Sequence, residues 1–215
     1  MTASRAALVT DFDGTMTSRD VYELVLERFG PPPGPDPFEA YRAGEITHLE
    51  AMQRIFERAD DEQALLDLLP RVGLQPRLRG LVERLDTAGW DVVVVSAGCR
   101  WYIDRLLGAA GVEVEVHSNP GHFEPGRGLV IERPDGAFVS ESVGIDKAAV
   151  VRHVQATRAP VAFAGDGLAD LPAARLVPAE LRFARGDLAV AAAEEGLAVR
   201  PFESWAEVVE EVLST

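Results

Sequence analysis

From residue 78 to the end of the chain, short apolar runs alternate with stretches of helical period, and this alternation restricts the fold more than any other feature. Helical patterns at 78–88, 101–110, 147–157, 168–176, 187–195 and 205–213 are separated by strand-like runs at 90–95, 112–116, 161–164, 181–184 and 197–199. A further apolar run at 6–10 opens the chain. Strands that alternate with helices build a parallel sheet with helices on both faces. Strands covered on both faces read as unbroken apolar runs, as Val92 to Val95 do. The expectation is therefore an α/β, Rossmann-like core. In 128–139, apolar residues flank Pro134-Asp135-Gly136, which predicts a small inserted β-hairpin.

The alternation is interrupted once, after the first run. Val21, Leu24, Val25 and Phe29 fall at helical spacing, and the proline-rich stretch 30–37 then breaks the helix. Helical patterns resume at 38–43, 49–58 and 62–69, with Thr47 as an N-cap and Glu50 three residues later. This block holds no strand candidate. The expected organisation is a core formed by 1–17 and 76–215, with an all-helical insertion over 18–75.

With 47% hydrophobic residues among 215, the chain can fill a sizeable core. Its formal net charge of -14 offers no basic excess, so neither nucleic acid nor an anionic membrane is an expected partner. No segment is long and apolar enough to span a membrane, and the opening stretch is too short for a signal sequence. The single cysteine, Cys99, rules out an internal disulfide. A cytoplasmic location is expected.

Parallel sheets of this kind bind ligands at the carboxyl ends of their strands, so the residues just past each run are the site candidates. The first run ends in Asp11-Phe12-Asp13-Gly14-Thr15, the run at 90–95 in Ser96-Ala97-Gly98, and the run at 161–164 in Gly165-Asp166, with Asp170 four residues on. Lys147 opens the helix that leads into the last of these. Carboxylates are hard ligands, so Asp11, Asp13 and Asp166, backed by Asp170, suit Mg²⁺. Such an ion would offset the repulsion between an anionic nucleophile and a phosphate. Asp11 is the candidate nucleophile and Asp13 the candidate proton donor and acceptor. Ser96, the backbone around Ala97 and Gly98, and Lys147 would hold phosphoryl oxygens. The expected partner is a small phosphorylated metabolite. His48, His117, His122 and His153 lack the spacing of a zinc site.

These residues, in this order, resemble the four motifs of the haloacid dehalogenase superfamily, and the likeness runs along nearly the whole chain. The role of Lys147 rests largely on its place in that order. The resemblance implies phosphoryl transfer, because the superfamily's dehalogenases lack an acid at the position of Asp13. The block 18–75 resembles the C1-type cap of the phosphoserine-phosphatase-like subfamily. Within that subfamily the chain is most similar to the methionine-salvage phosphatases that act on 2-hydroxy-3-keto-5-methylthiopentenyl 1-phosphate. Asp20, nine residues past Asp11, falls where phosphoserine phosphatases recognise the substrate amine, and it is equally a candidate helix N-cap. Arg54 is a candidate for binding a substrate anion, or for pairing with Glu50 or Glu57. Phosphoserine hydrolysis and phosphotransfer to an alcohol would use the same residues. A receiver-like phospho-acceptor domain also combines acids, a hydroxyl and a lysine on a parallel sheet, but it has no large helical insertion and no counterpart of Asp13.

Overall fold

The computed structural model describes residues 5–214; residues 1–4 of the expected core segment, and Thr215, lie outside them. After β1 (Ala6–Thr10) come the helices α1 (Val21–Phe29), α2 (Pro37–Arg42), α3 (His48–Phe56) and α4 (Glu62–Leu68). The chain then runs through α5 (Leu78–Thr87), β2 (Trp90–Cys99), α6 (Arg100–Ala109) and β3 (Glu115–Asn119). Four short strands come next, β4 (Gly121–Glu124), β5 (Gly128–Ile131), β6 (Val139–Ser140) and β7 (Gly144–Ile145). The last part comprises α7 (Lys147–Gln155), β8 (Val161–Gly165), α8 (Leu171–Ala174), β9 (Arg182–Ala184), α9 (Gly186–Glu194), β10 (Arg200–Pro201) and α10 (Trp205–Leu213).

Six of these strands form a parallel sheet in the order β10-β9-β8-β1-β2-β3. All five residues of β1 are buried, and its side chains alternate between two apolar layers. Ala6 and Leu8 join a layer with Val92, Val94, Ala162, Trp205 and Val208. Ala7 and Val9 join the other, with Val93, Val95, Phe163, Val150 and Val154. A strand of period two between two helical layers has no polar face, which is why the run carries no polar alternation. Chain order reverses between β1 and β8, and ligands of open parallel sheets collect beyond the strand ends at such a reversal. Asp11 and Asp166 are the first residues past those two strands.

The helices α1 to α4 form one block, and the capping box predicted at Thr47 and Glu50 is present at the start of α3. Two chain segments enter and leave this block side by side. Thr17 pairs with Leu74 in an antiparallel bridge, Ser18 donates to the carbonyls of Val72 and Gly73, and Gln75 donates to Met16. On its far side the block touches the core again: Gln53 Nε2 donates to the Ile131 carbonyl at 2.8 Å, and the Leu49 amide to the Ser142 carbonyl at 3.0 Å.

Several boundaries differ from the sequence expectation. The hairpin is β4–β5, not 128–139. Its turn is Glu124-Pro125-Gly126-Arg127, closed by the Arg127 amide on the Glu124 carbonyl, with Gly126 at φ 82°. Proline then glycine at the centre is a turn signature as strong as Pro134-Asp135-Gly136, and it won. β3 begins at Glu115 rather than 112, because Val112 is still tied to helix α6 through the Leu107 carbonyl. β2 continues to Cys99, so Ser96, Ala97 and Gly98 form an irregularity inside the strand and not a loop after it. The stretch 168–176 splits into a 3₁₀ turn and α8, and the last strand is at 200–201 instead of 197–199.

Candidate active site

At the end of β1 the chain stays bonded to its neighbour, with the Asp11 amide on the Ala164 carbonyl at 2.8 Å. The Asp11 carboxylate accepts the Phe12 amide at 2.7 Å and lies 2.9 Å from Lys147 Nζ. Lys147 Nζ also donates to Asp170 at 2.6 Å, and all three groups are buried. The second oxygen of Asp170 accepts the amides of Asp166 and Gly167 at 3.1 and 3.0 Å, which fixes the turn after β8. Asp166 in turn accepts the Thr15 hydroxyl at 2.7 Å. Gly14, at φ 69°, is required here. A Cβ on it would lie 2.2 Å from the Asp166 carboxylate, so no larger residue lets the first motif close against the fourth.

The Asp13 carboxylate points another way. It accepts the Tyr102 hydroxyl at 2.6 Å and the Val21 amide at 3.3 Å, and so joins β1's loop to α6 and to the start of α1. A Cβ at Gly98 would meet both the Tyr102 hydroxyl and the Asp13 carboxylate, so this position too is confined to glycine. Ser96 is buried, and its hydroxyl accepts the Gly98 amide at 3.0 Å; the Ala97 carbonyl is held by Asn119 at 2.7 Å.

Oxygens of Asp11, Asp166 and Asp170 lie within 4.8 Å of one another. Burial pushes the Asp11 carboxyl well above its usual range, and Asp170 and Asp166 add to this against the pull of Lys147. Burial, then Asp170, raises Asp166 to about 6. Burial alone would depress the Lys147 ammonium, but Asp11 and Asp170 outweigh it and raise its pKa. One ammonium thus faces more negative charge than it can balance, and the donors are all hard oxygens. A divalent cation fits that deficit. The Asp13 carboxylate, engaged by Tyr102, stands outside this group; burial raises it to about 6, with the Tyr102 hydrogen bond working against the rise.

These residues line one cavity of about 480 Å³, roofed by the helical block. That volume suits a small metabolite. The roof supplies Tyr22, Phe38, Tyr41, His48 and Met52, and Asp20 lines the same space. Asp20 stands at the N-cap position of α1 but makes no capping hydrogen bond through its side chain. Burial, then Asp13, raises it to about 8. Arg54 is exposed and is not among the lining residues.

Two further residues bond to the site and lie outside the four motifs. Arg185, directly after β9, donates to the Gly14 carbonyl at 2.7 Å, to the Thr17 carbonyl at 3.0 Å and to the Glu203 carbonyl at 2.7 Å, and so staples the first motif in place. Its place just past a strand end is the same signal that marks Asp11 and Asp166, and it could have been found that way. For Tyr102, in the run that opens the helix beside Ser96-Ala97-Gly98, the sequence leaves pocket wall and core or interface residue both open; the structure puts it in the cavity lining, with its hydroxyl on Asp13.

The family model described as haloacid dehalogenase-like hydrolase matches residues 8–175. The chain belongs to that family. Within it the chain is an enzyme of the phosphatase type, the type of the relatives it matches from end to end. A 2-hydroxy-3-keto-5-methylthiopentenyl-1-phosphate phosphatase of Exiguobacterium sibiricum is 24% identical to it, over 97% of this chain and 96% of the relative. Its counterpart in Bacillus cereus is 22% identical, over 94% and 93%. Among solved structures, a phosphoserine phosphatase from T. onnurineus superposes with a TM-score of 0.67 at 19% identity, covering 98% of this chain and 95% of that one. A hydrolase of the same family from Salmonella enterica serovar Typhi gives 0.69 at 16% identity, covering 94% and 69%. Both structures have the same fold as this chain. Among the described residues, no helix is long and apolar enough to cross a membrane.

Proposed function

We propose that the protein hydrolyses a small phosphomonoester through a phospho-aspartate formed on Asp11. The observation that carries this reading is the pairing of Asp11 with Lys147 at the end of β1, with the second acid, Asp13, held separately on Tyr102. One carboxylate is thereby oriented beside a cation, and the other remains able to exchange a proton near neutral pH.

In the first step an Asp11 oxygen bonds to phosphorus as the ester P–O bond breaks, and the departing alkoxide takes the Asp13 proton. In the second, Asp13 takes a proton from water as the water oxygen bonds to the same phosphorus. The acyl-phosphate bond then breaks, releasing phosphate and restoring Asp11. Lys147, Ser96 and the amides near Ala97 and Gly98 would hold the remaining phosphoryl oxygens. Asp11 and Asp166, with Asp170 behind them, would hold Mg²⁺, whose chemistry is to neutralise charge between the two anions.

Helices α1 to α4, entered at 17–18 and left at 74–76, are read as the cap, and the rest as the core. The full-length likeness to the methionine-salvage phosphatases favours 2-hydroxy-3-keto-5-methylthiopentenyl 1-phosphate or a close analogue as the substrate. Arg54 is exposed and off the cavity, whereas Arg19 and Arg42 of the same block line it, so these two are the cap cations available to a substrate anion. We place the reaction in the cytoplasm, where the buried free thiol of Cys99 stays reduced.

The test is phosphate release from a panel of metabolite phosphoesters with Mg²⁺ present, including the methionine-salvage ester and phosphoserine. Wild-type protein is expected to turn over at least one, and Asp11→Asn to lose at least about 10⁴-fold in kcat. An Asp11→Asn protein as active as wild type would sink the reading.

A further inference from the structure

His48 is the first residue of α3, and its neighbour Leu49 is tied through its amide to the Ser142 carbonyl. This contact brings the ring over the cavity from the roof, within electrostatic reach of Lys147 and Asp170. Two aromatic rings enclose it. Phe38 lies edge-on at 5.9 Å between centroids and Tyr41 at 5.4 Å. Neither ring nitrogen has a hydrogen-bond partner among the described residues, and Nδ1 is sealed from solvent. The residue as a whole is half-buried, but a buried polar atom without a partner, as Nδ1 is, is costly and unusual enough to need a reason. Burial, and secondarily the Lys147 ammonium, lowers the pKa of the ring to about 4, so at neutral pH it is uncharged, with one donor and one acceptor nitrogen.

We propose that His48 is a substrate-binding residue of the cap that hydrogen-bonds a hydroxyl or carbonyl oxygen on the organic part of the phosphoester. The proposal rests on the phosphatase reading only in taking this cavity as the substrate site. A neutral ring between aromatic walls, with Met52 beside it, forms a subsite for an uncharged, oxygen-bearing carbon chain. A site that hydrogen-bonds a substrate group discriminates strongly against the analogue without it, because the buried partner is then left unpaired.

A matched pair of esters isolates that contact: 3-oxopentyl phosphate carries the oxygen and pentyl phosphate does not. Hydrolysis is measured as kcat/KM for wild type, His48→Phe, which keeps an aromatic ring but cannot hydrogen-bond, and His48→Gln, which keeps a donor and an acceptor. Affinity for both esters is measured by calorimetry in an Asp11→Asn background, where turnover is not needed. Wild type is expected to prefer the oxo ester. In His48→Phe that preference should fall about tenfold or more, mostly through KM and Kd, and His48→Gln should retain most of it. Because the ratio is taken within each variant, partial unfolding cancels. An equal preference in wild type and His48→Phe, or no preference in wild type, overturns the assignment while leaving hydrolysis intact. If wild type hydrolyses neither ester, the phosphatase reading fails for these carbon chains and the affinity ratio alone decides for or against His48.

Discussion

The floor and the roof of the cavity are built on opposite plans. On the floor, almost every functional side chain has its partners in place: Asp11 on Lys147, Lys147 on Asp170, Asp170 on two amides, Asp166 on Thr15 and Asp13 on Tyr102. On the roof, His48 has no hydrogen-bond partner among the described residues, and the rings of Phe38 and Tyr41 stand against it. A floor so fully bonded is pre-organised for chemistry and intolerant of change. A roof with unused hydrogen-bonding capacity is where substrates can be told apart without disturbing the reaction below.

The contrast is most easily broken at Lys147. Lys147→Met leaves Asp11 and Asp170 buried together without their cation, and losing one partner of a buried ionic group costs about 3–5 kcal/mol. Urea denaturation should show a loss of that order, with phosphate release at background. A stable, active Lys147→Met protein would mean that the floor is not a single bonded unit.

A smaller effect is expected at the junction of floor and roof. Tyr102→Phe removes the donor to Asp13 but keeps the ring stacked on Phe56. We expect kcat to fall about tenfold. The Tyr102 bond works against the rise in the Asp13 pKa, so its loss carries that pKa above about 6. The activity limb that needs protonated Asp13 should move to higher pH. A pH–rate profile with an unshifted limb would detach Tyr102 from proton transfer.

The smallest effect belongs to Asp20, on the roof side. Its carboxyl titrates near 8 in the folded chain against 3.8 for the free group, so the cost of ionising it builds up as pH rises between those values. Asp20→Asn should therefore raise Tm by about 2–4 °C, the shift that ~1 kcal/mol makes in a chain of this size, at pH 8.5 and by less at pH 5. Equal shifts at both pH values would show that the ionised carboxylate is not what strains this corner.

The same contrast explains what could be read from the sequence. Asp11 and Asp166 on the floor were legible because they follow strand ends, which short apolar runs mark over a few consecutive positions, whereas Lys147, at a helix start, was legible only from its place in the motif order. The boundaries of β1, α1 and α10 were readable for the same local reason, as was the Thr47–Glu50 cap. The roof was legible as a helical block and at Asp20, which lines the cavity, but not in the rest of its lining. Which face of α3 meets the cavity depends on how four short helices pack together, so exposed Arg54 and inward His48 look alike in a linear pattern. The hairpin failed at the choice between two competing turns. Ser96 to Gly98 are not a loop because β2 resumes its pairing with β3 at Cys99, and Asn119 holds the Ala97 carbonyl between.

Gly128 gives the roof a mechanical character. At φ 78° it sits against the end of α3, where an added Cβ would strike the carbonyls of Phe56, Glu57 and Ala59 at 2.7 to 3.0 Å. With Gln53 on Ile131 and Leu49 on Ser142, this makes a bolt on the side opposite the 17–74 bridge. A door hung on one edge and bolted on the other does not swing freely. To widen the cavity on that side, α3 would have to break two hydrogen bonds and lift off a glycine seat, so the hairpin and the segment at Ser142 hold this edge of the roof down.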